Sequence, residues 1–140
     1  MDHMNKQRLL TATAVAELGA GAGLLLLPAK TATLLLGSAL ASPESLIVGR
    51  VAGAALLALA LTCWLERTHT RTYSTIGLIA GPLLYNVLAV VLLVYAAVVA
   101  RLSGVGTWPV IGLHAALLAW CVGVPAPDVG WKPGDVRLTL

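Results

Sequence analysis

Four long apolar blocks, separated by short polar stretches, dominate the chain: residues 9–27, 46–65, 76–100 and 108–124. Each runs for about 17 to 25 residues, and at ~1.5 Å per residue a helix of that length covers the ~30 Å hydrocarbon core of a bilayer. Apolar residues are continuous within the blocks rather than alternating, and Leu and Ala prevail, so the pattern predicts spanning helices and not barrel strands. A helix also satisfies its own backbone hydrogen bonds, as lipid requires. The expected fold is all-α: a four-transmembrane-helix bundle that occupies residues 1–124 as a single membrane domain.

The segments between the blocks refine this picture. Residues 29–40 (AKTATLLLGSAL) are too few to span and set Lys30, Thr31 and Thr33 beside Leu34, Leu35 and Leu36. They predict a short amphipathic helix lying in the membrane interface between the first and second spans. Ser42, Pro43 and Glu44 have the chemistry of a cap and first turn for the second span. Residues 66–74 and the glycine-rich 103–107 read as turns, with Pro109 in the first turn of the fourth span. The Pro- and Gly-rich residues 125–140 read as an irregular cytoplasmic tail. Lys6 and Arg8 before an apolar run resemble a signal peptide, but Glu17 interrupts the run, the run is long, and no clear A-x-A site is read as preceding a polar mature start, so retention of this segment is expected.

Composition agrees with a membrane solvent. Hydrophobic residues make up 59% and charged residues only 11%, with a mean hydropathy of +0.90; a soluble globule of this size could not bury so much apolar side chain. With four spans, Lys6, Arg8, Arg67, Arg71, Lys132 and Arg137 fall on one side, against Lys30 and Arg101 on the other. Basic residues favour the cytoplasm, so both termini are expected there. That bias accounts for the net charge of +3, and no nucleic-acid partner is expected. Trp64, Tyr73 and Trp120 near one interface, and Tyr95 and Trp108 near the other, fit the aromatic belts of a bilayer.

Candidate chemistry lies in the few polar residues within the spans. Glu17 and Arg50 are close enough in expected depth, about 6 Å apart, for an arginine side chain to reach. Because an isolated charge in hydrocarbon is costly, a Glu17–Arg50 pair is expected. Its leading reading is a structural clasp; alternatives are a working polar site, or no pairing, with Arg50 snorkelling outward and Glu17 neutral. Asn86 and His114 would add an amide and an imidazole, giving one polar side chain per span and a set able to bind a small polar ligand or relay a proton. Pro82, four residues before Asn86, is expected to free a carbonyl and bend the third span. Gly19 and Gly23, with Gly49 and Gly53, form two G-x-x-x-G pairs that predict a tight seam between the first two spans. Gly104, in a turn, is expected to tolerate a side chain better.

Other chemistries find no support in the sequence. Cys63 and Cys121 form no CxxC and read as small packing residues. His3 and His69 lie in polar segments, which leaves no histidine pair for haem and no His/Cys spacing for zinc. No phosphate-binding loop, H-E-x-x-H or G-x-S-x-G is present, so neither an enzyme nor a cofactor is expected.

The runs AELGAGAG, GRVAGAALLALALTCW, LLYN and LHAALLAWC resemble those of small uncharacterised bacterial four-helix membrane proteins of the domain-of-unknown-function type. That resemblance covers most of the chain and implies a bacterial inner-membrane location without an activity. A partial likeness to small multidrug-resistance transporters rests on four helices and the carboxylate of AELG. The chain departs from that pattern in its interfacial segment, in Arg50 and in its third span, which has no glycine-rich stretch. The sequence therefore points to an accessory or structural component of a membrane assembly, in contact with the lipid bilayer and with a homo-oligomer or larger complex as partner. The alternative is a small transporter or polar-ligand-binding protein built on Glu17, Arg50, Asn86 and His114.

Overall fold

A computed structural model describes residues 3–68 and 72–123, and these form five helices and no strand: α1 (His3–Leu26), α2 (Pro28–Leu36), α3 (Pro43–Glu66), α4 (Thr72–Val98) and α5 (Thr107–Gly123). Three of them contain segments long and apolar enough to cross a membrane: Met4–Leu26, Pro43–Glu66 and Ala80–Val98. The fourth expected span corresponds to α5, an apolar helix of 17 residues. The expected tail at 125–140, His69, Arg71, Lys132, Arg137 and the side chain of Tyr73 lie outside the described residues.

Local chemistry sets the boundaries. Pro28 has no N–H and disfavours helical backbone at the residue before it, so α1 stops at Leu26 and Leu27 leaves the helical region, with φ −132° and ψ 54°. Pro28 then occupies the first turn of α2, where its missing donor costs nothing. Gly37 closes α2 in the left-handed conformation, φ +69°, its N–H donating to Thr33 O at 2.9 Å. At the start of α3, Ser42 Oγ accepts from Ser45 N–H at 3.1 Å and Ser45 Oγ accepts from Ser42 N–H at 3.2 Å. This reciprocal cap, with Pro43 and Glu44 in the first turn, matches the expected helix start. Helix α4 continues through Pro82.

Packing divides the helices into two antiparallel hairpins. Helix α1 packs most extensively on α3, and α4 on α5, whereas α3 and α4 barely touch. Gly21 and Gly53 make the closest helix crossing: a Cβ on Gly53 would lie 2.6 Å from Leu25 N and 2.7 Å from Gly21 O, and one on Gly21 would lie 2.9 Å from Gly53 O. Below this crossing, Leu10 and Ala14 pack on Cys63, while Leu9 packs on Leu117 and Cys121 of α5.

The hairpins are also tied at both ends. At one, Trp120 Nε1 donates to Asn5 Oδ1 at 3.1 Å. At the other, the backbone of the α4–α5 turn closes on the carbonyl end of α2, with Gly104 N–H donating to Leu35 O at 3.2 Å and Gly106 N–H to Leu34 O at 2.9 Å. The Thr107 hydroxyl also donates to Leu35 O and accepts from Gly104 N–H at 2.8 Å. Many large apolar side chains point outward, among them Val15, Leu18, Val51, Leu61, Val91 and Leu92. An apolar belt of this extent suits lipid as solvent.

A polar centre around Glu17

Helix periodicity places Thr13, Glu17 and Gly21 on one stripe of α1, each four residues from the next. Gly21 is the point of contact with α3, so Glu17 is carried inward with it. The Glu17 side chain is 0% exposed, and among the described residues neither carboxyl oxygen closes a hydrogen bond of good geometry and the buried Thr13 hydroxyl has no partner. The Tyr85 hydroxyl approaches the carboxyl from α4. Cys63 on α3, also buried, is close enough to feel the Glu17 charge.

A second layer lies behind Tyr85. Its ring meets His114 of α5 edge-on, with centroids 5.5 Å apart. His114 Nδ1 is 2.8 Å from Asn86 Oδ1, and Asn86 Nδ2 donates to Pro82 O at 2.7 Å. The amide therefore presents its oxygen to the ring, so Nδ1 carries the hydrogen and Nε2 is the acceptor in the neutral tautomer. Asn86 is 0% and His114 6% exposed, which makes this a buried hydrogen bond between α4 and α5. The structure thus brings together Asn86 and His114, and through Tyr85 sets Glu17 on the other side of the same centre.

Arg50 does not join them. It is exposed, and no Glu17–Arg50 pair forms. The reason is register: Gly53 faces the α1 backbone between Gly21 and Leu25, which sets Arg50, three residues nearer the start of α3, at least seven residues above Glu17. At ~1.5 Å per residue that is about 10 Å or more, beyond the separation expected from block boundaries. Arg50 is also turned about 100° from Gly49, which lies on the buried stripe. The expected clasp is therefore corrected: Glu17 and Arg50 do not pair.

The glycine seam also shifts. Gly53 is at the crossing as expected, but its partner is Gly21. Gly19 has open space around it, Gly23 faces Thr31 of α2, and Gly49 faces Leu40 and Pro28. Gly104 is not permissive: a Cβ there would collide with Leu34 O and lie 2.6 Å from Thr33 O.

Tyr85 is the functional candidate that sequence reasoning missed. Its signal was its place: a phenol beside Asn86 in the middle of a span lies outside the aromatic belts. Chemically, the centre offers a carboxyl with both oxygens available, a phenol, a thiol and a polarised imidazole. That set can hold a proton or a small hydrogen-bonding cation. Among the described residues no group of three or more His, Cys, Asp or Glu side chains is arranged to hold a metal. No protein-family model, curated protein or solved structure matches the chain, so the functional reading draws on the geometry alone.

Proposed function

We propose that the protein is a four-span bacterial inner-membrane protein acting as a small transporter or polar-ligand-binding protein, with Glu17, Tyr85, Asn86 and His114 as its working centre. One observation carries this reading: the Glu17 carboxyl is 0% exposed and, among the described residues, neither oxygen closes a hydrogen bond of good geometry, the Tyr85 hydroxyl being the nearby polar group. Such a group costs stability, since no cation among the described residues is paired with it. Its retention is understandable if the carboxyl takes up and releases a proton or a small cationic ligand.

In this reading α5 is the fourth span. Its 17 residues cover about 26 Å, near the lower limit for crossing. Helix α2 lies in the interface. Lys6, Arg8 and Arg67 then share the cytoplasmic end and Lys30 and Arg101 the opposite one, which puts both termini in the cytoplasm. Reporter fusions at either terminus that report from the far side would overturn that topology.

The functional test uses the purified chain in liposomes containing a pH-sensitive dye. Wild type is expected to carry a proton-linked flux that Glu17→Gln abolishes without loss of melting temperature. Dicyclohexylcarbodiimide, an apolar reagent for protonated carboxyls, is expected to label wild type and not Glu17→Gln. Equal flux and equal labelling in both would sink the proposal.

A second reading, an accessory or structural component of a homo-oligomer or larger assembly, is favoured by the slight contact between α3 and α4. Two hairpins joined mainly through α1, α2 and α5 leave a flank that a partner helix would fill. Crosslinking in native membranes distinguishes the two: a stoichiometric partner at the α3–α4 flank supports assembly. No catalytic role and no cofactor are proposed.

A further inference from the structure

Two hollows open side by side on the outer face of α1, and both are bordered by Val15. The first, about 580 Å³, runs along Met4, Arg8, Thr11 and Val15 with Gln7 and Ala12 at its sides. The second, about 280 Å³, is an apolar trough between Ala14, Val15 and Leu18 of α1 and Leu57, Leu61 and Trp64 of α3. Residues 4, 8, 11, 15 and 18 recur at three- and four-residue steps, so the two hollows form one continuous groove along a single helix stripe. Its character changes along its length: a guanidinium, an amide and a hydroxyl at one end, hydrocarbon at the other.

A second guanidinium, that of Arg67, borders the groove through Trp64, whose carbonyl accepts from Arg67 Nη1. Arg67 lies over the Trp64 ring, 3.4 Å from its centroid, and the antiparallel register that packs Leu10 on Cys63 sets Arg67 at the depth of Arg8. Lys6 and Glu66 at the same end are engaged in interactions of their own.

We infer that this groove holds one anionic phospholipid, its phosphate between Arg8 and Arg67 and an acyl chain in the trough beside Leu18 and Trp64. Only a molecule joining an anionic head to a hydrocarbon chain satisfies both ends of the groove. Cationic residues at the headgroup level attract anionic lipid, and an arginine fork matches phosphate geometry. A second copy of the chain fits worse. A two-fold axis along the membrane normal would bring Arg8 and Arg67 against the same residues of the other copy, with like charges facing at equal depth. The inference does not depend on the Glu17 centre, which faces the opposite side of α1.

The test is native mass spectrometry of the full chain in detergent, titrated with phosphatidylglycerol and with phosphatidylcholine of identical chains. One phosphatidylglycerol is expected to bind at least about tenfold more tightly than phosphatidylcholine, with Arg8→Gln and Arg67→Gln each reducing its affinity by about fivefold. Leu18→Trp, which fills the trough from an exposed position, is expected to weaken both lipids. Lys30→Gln and Arg101→Gln, at the other end of the bundle, are expected to change neither. Wild-type melting temperatures for all variants establish that they fold; if Leu18→Trp does not, Leu61→Trp replaces it. Equal affinity for the two lipids overturns the inference, as does phosphatidylglycerol affinity within twofold of wild type in the double arginine variant. A dimer that Leu18→Trp dissociates, with lipid preference intact, assigns the trough to a second copy and overturns it as well.

Discussion

Adding one methyl group at Gly53 and one at Gly19 provides a direct measure of the helix crossing. At Gly53 a Cβ would meet Leu25 N at 2.6 Å and Gly21 O at 2.7 Å. Both are backbone atoms, so no side chain can swing away and α1 and α3 must separate. Overpacking of this kind costs about 1–3 kcal/mol. At Gly19 nothing lies within 4 Å of the new Cβ, and the change brings only the helix-propensity gain of Ala over Gly, at most about 1 kcal/mol. That gain applies equally at Gly53, so the difference between the variants isolates packing. Gly53→Ala is expected to be less stable than Gly19→Ala by about 1–3 kcal/mol, and Gly21→Ala should behave like Gly53→Ala. Reversible unfolding in mixed detergent micelles, followed by far-UV circular dichroism, gives the values. Equal stability for Gly19→Ala and Gly53→Ala would refute the crossing, and a greater loss at Gly19 would restore the seam that the G-x-x-x-G spacing suggests.

Three further expectations follow from the polar centre and the α2 cap. In a thermal double-mutant cycle, Asn86→Leu and His114→Leu should couple by about 0.6 kcal/mol and at most about 1.7 kcal/mol, the mean and maximum for hydrogen bonds between helices in a membrane protein; additive losses would deny the bond. Glu17→Gln and Arg50→Met should be additive within about 0.5 kcal/mol, because Arg50 is exposed and remote from the carboxyl, and a clear rescue of one by the other would reinstate the clasp. Gly104→Ala should lower the melting temperature more than Gly112→Ala, since only the former meets backbone; equal melting would mean that the turn does not seat on α2.

The long elements were legible because length and continuous apolarity are properties of single segments. Ser42 with Pro43 announced the start of α3, and Pro28 the end of α1, through backbone chemistry confined to neighbouring residues. What the sequence conceals is the rotation and register of one helix against another. Gly19, Gly21 and Gly23 alternate along α1, and a spacing rule selects the 19/23 pair, whereas residues 19 and 21 face directions about 200° apart. The buried Glu17 held the missing information: the glycine on its stripe is Gly21, four residues on. Arg50 was misplaced for a related reason. Depths counted from block ends carry errors of a turn or more, and two such errors separate a presumed ion pair. Asn86 and His114 were recoverable because a polar side chain in the middle of an apolar helix has few places to go but inward, and Tyr85 was passed over because its ring resembles that of the interface residues.

The junction between α2 and the α4–α5 turn has a consequence for biogenesis. The Thr107 hydroxyl reaches Leu35 O across 72 residues of sequence, and Gly104 and Gly106 complete the same set of carbonyl contacts. During synthesis, α1, α2 and α3 all emerge before any of these donors exists. The carbonyls at the end of α2 must therefore be met by other partners until the last hairpin arrives, and the packing of the N-terminal half is completed only when the C-terminal half has folded against it. A nascent chain halted before residue 103 should accordingly remain protease-sensitive between 37 and 42, and release of the complete chain should close that window in a single late step.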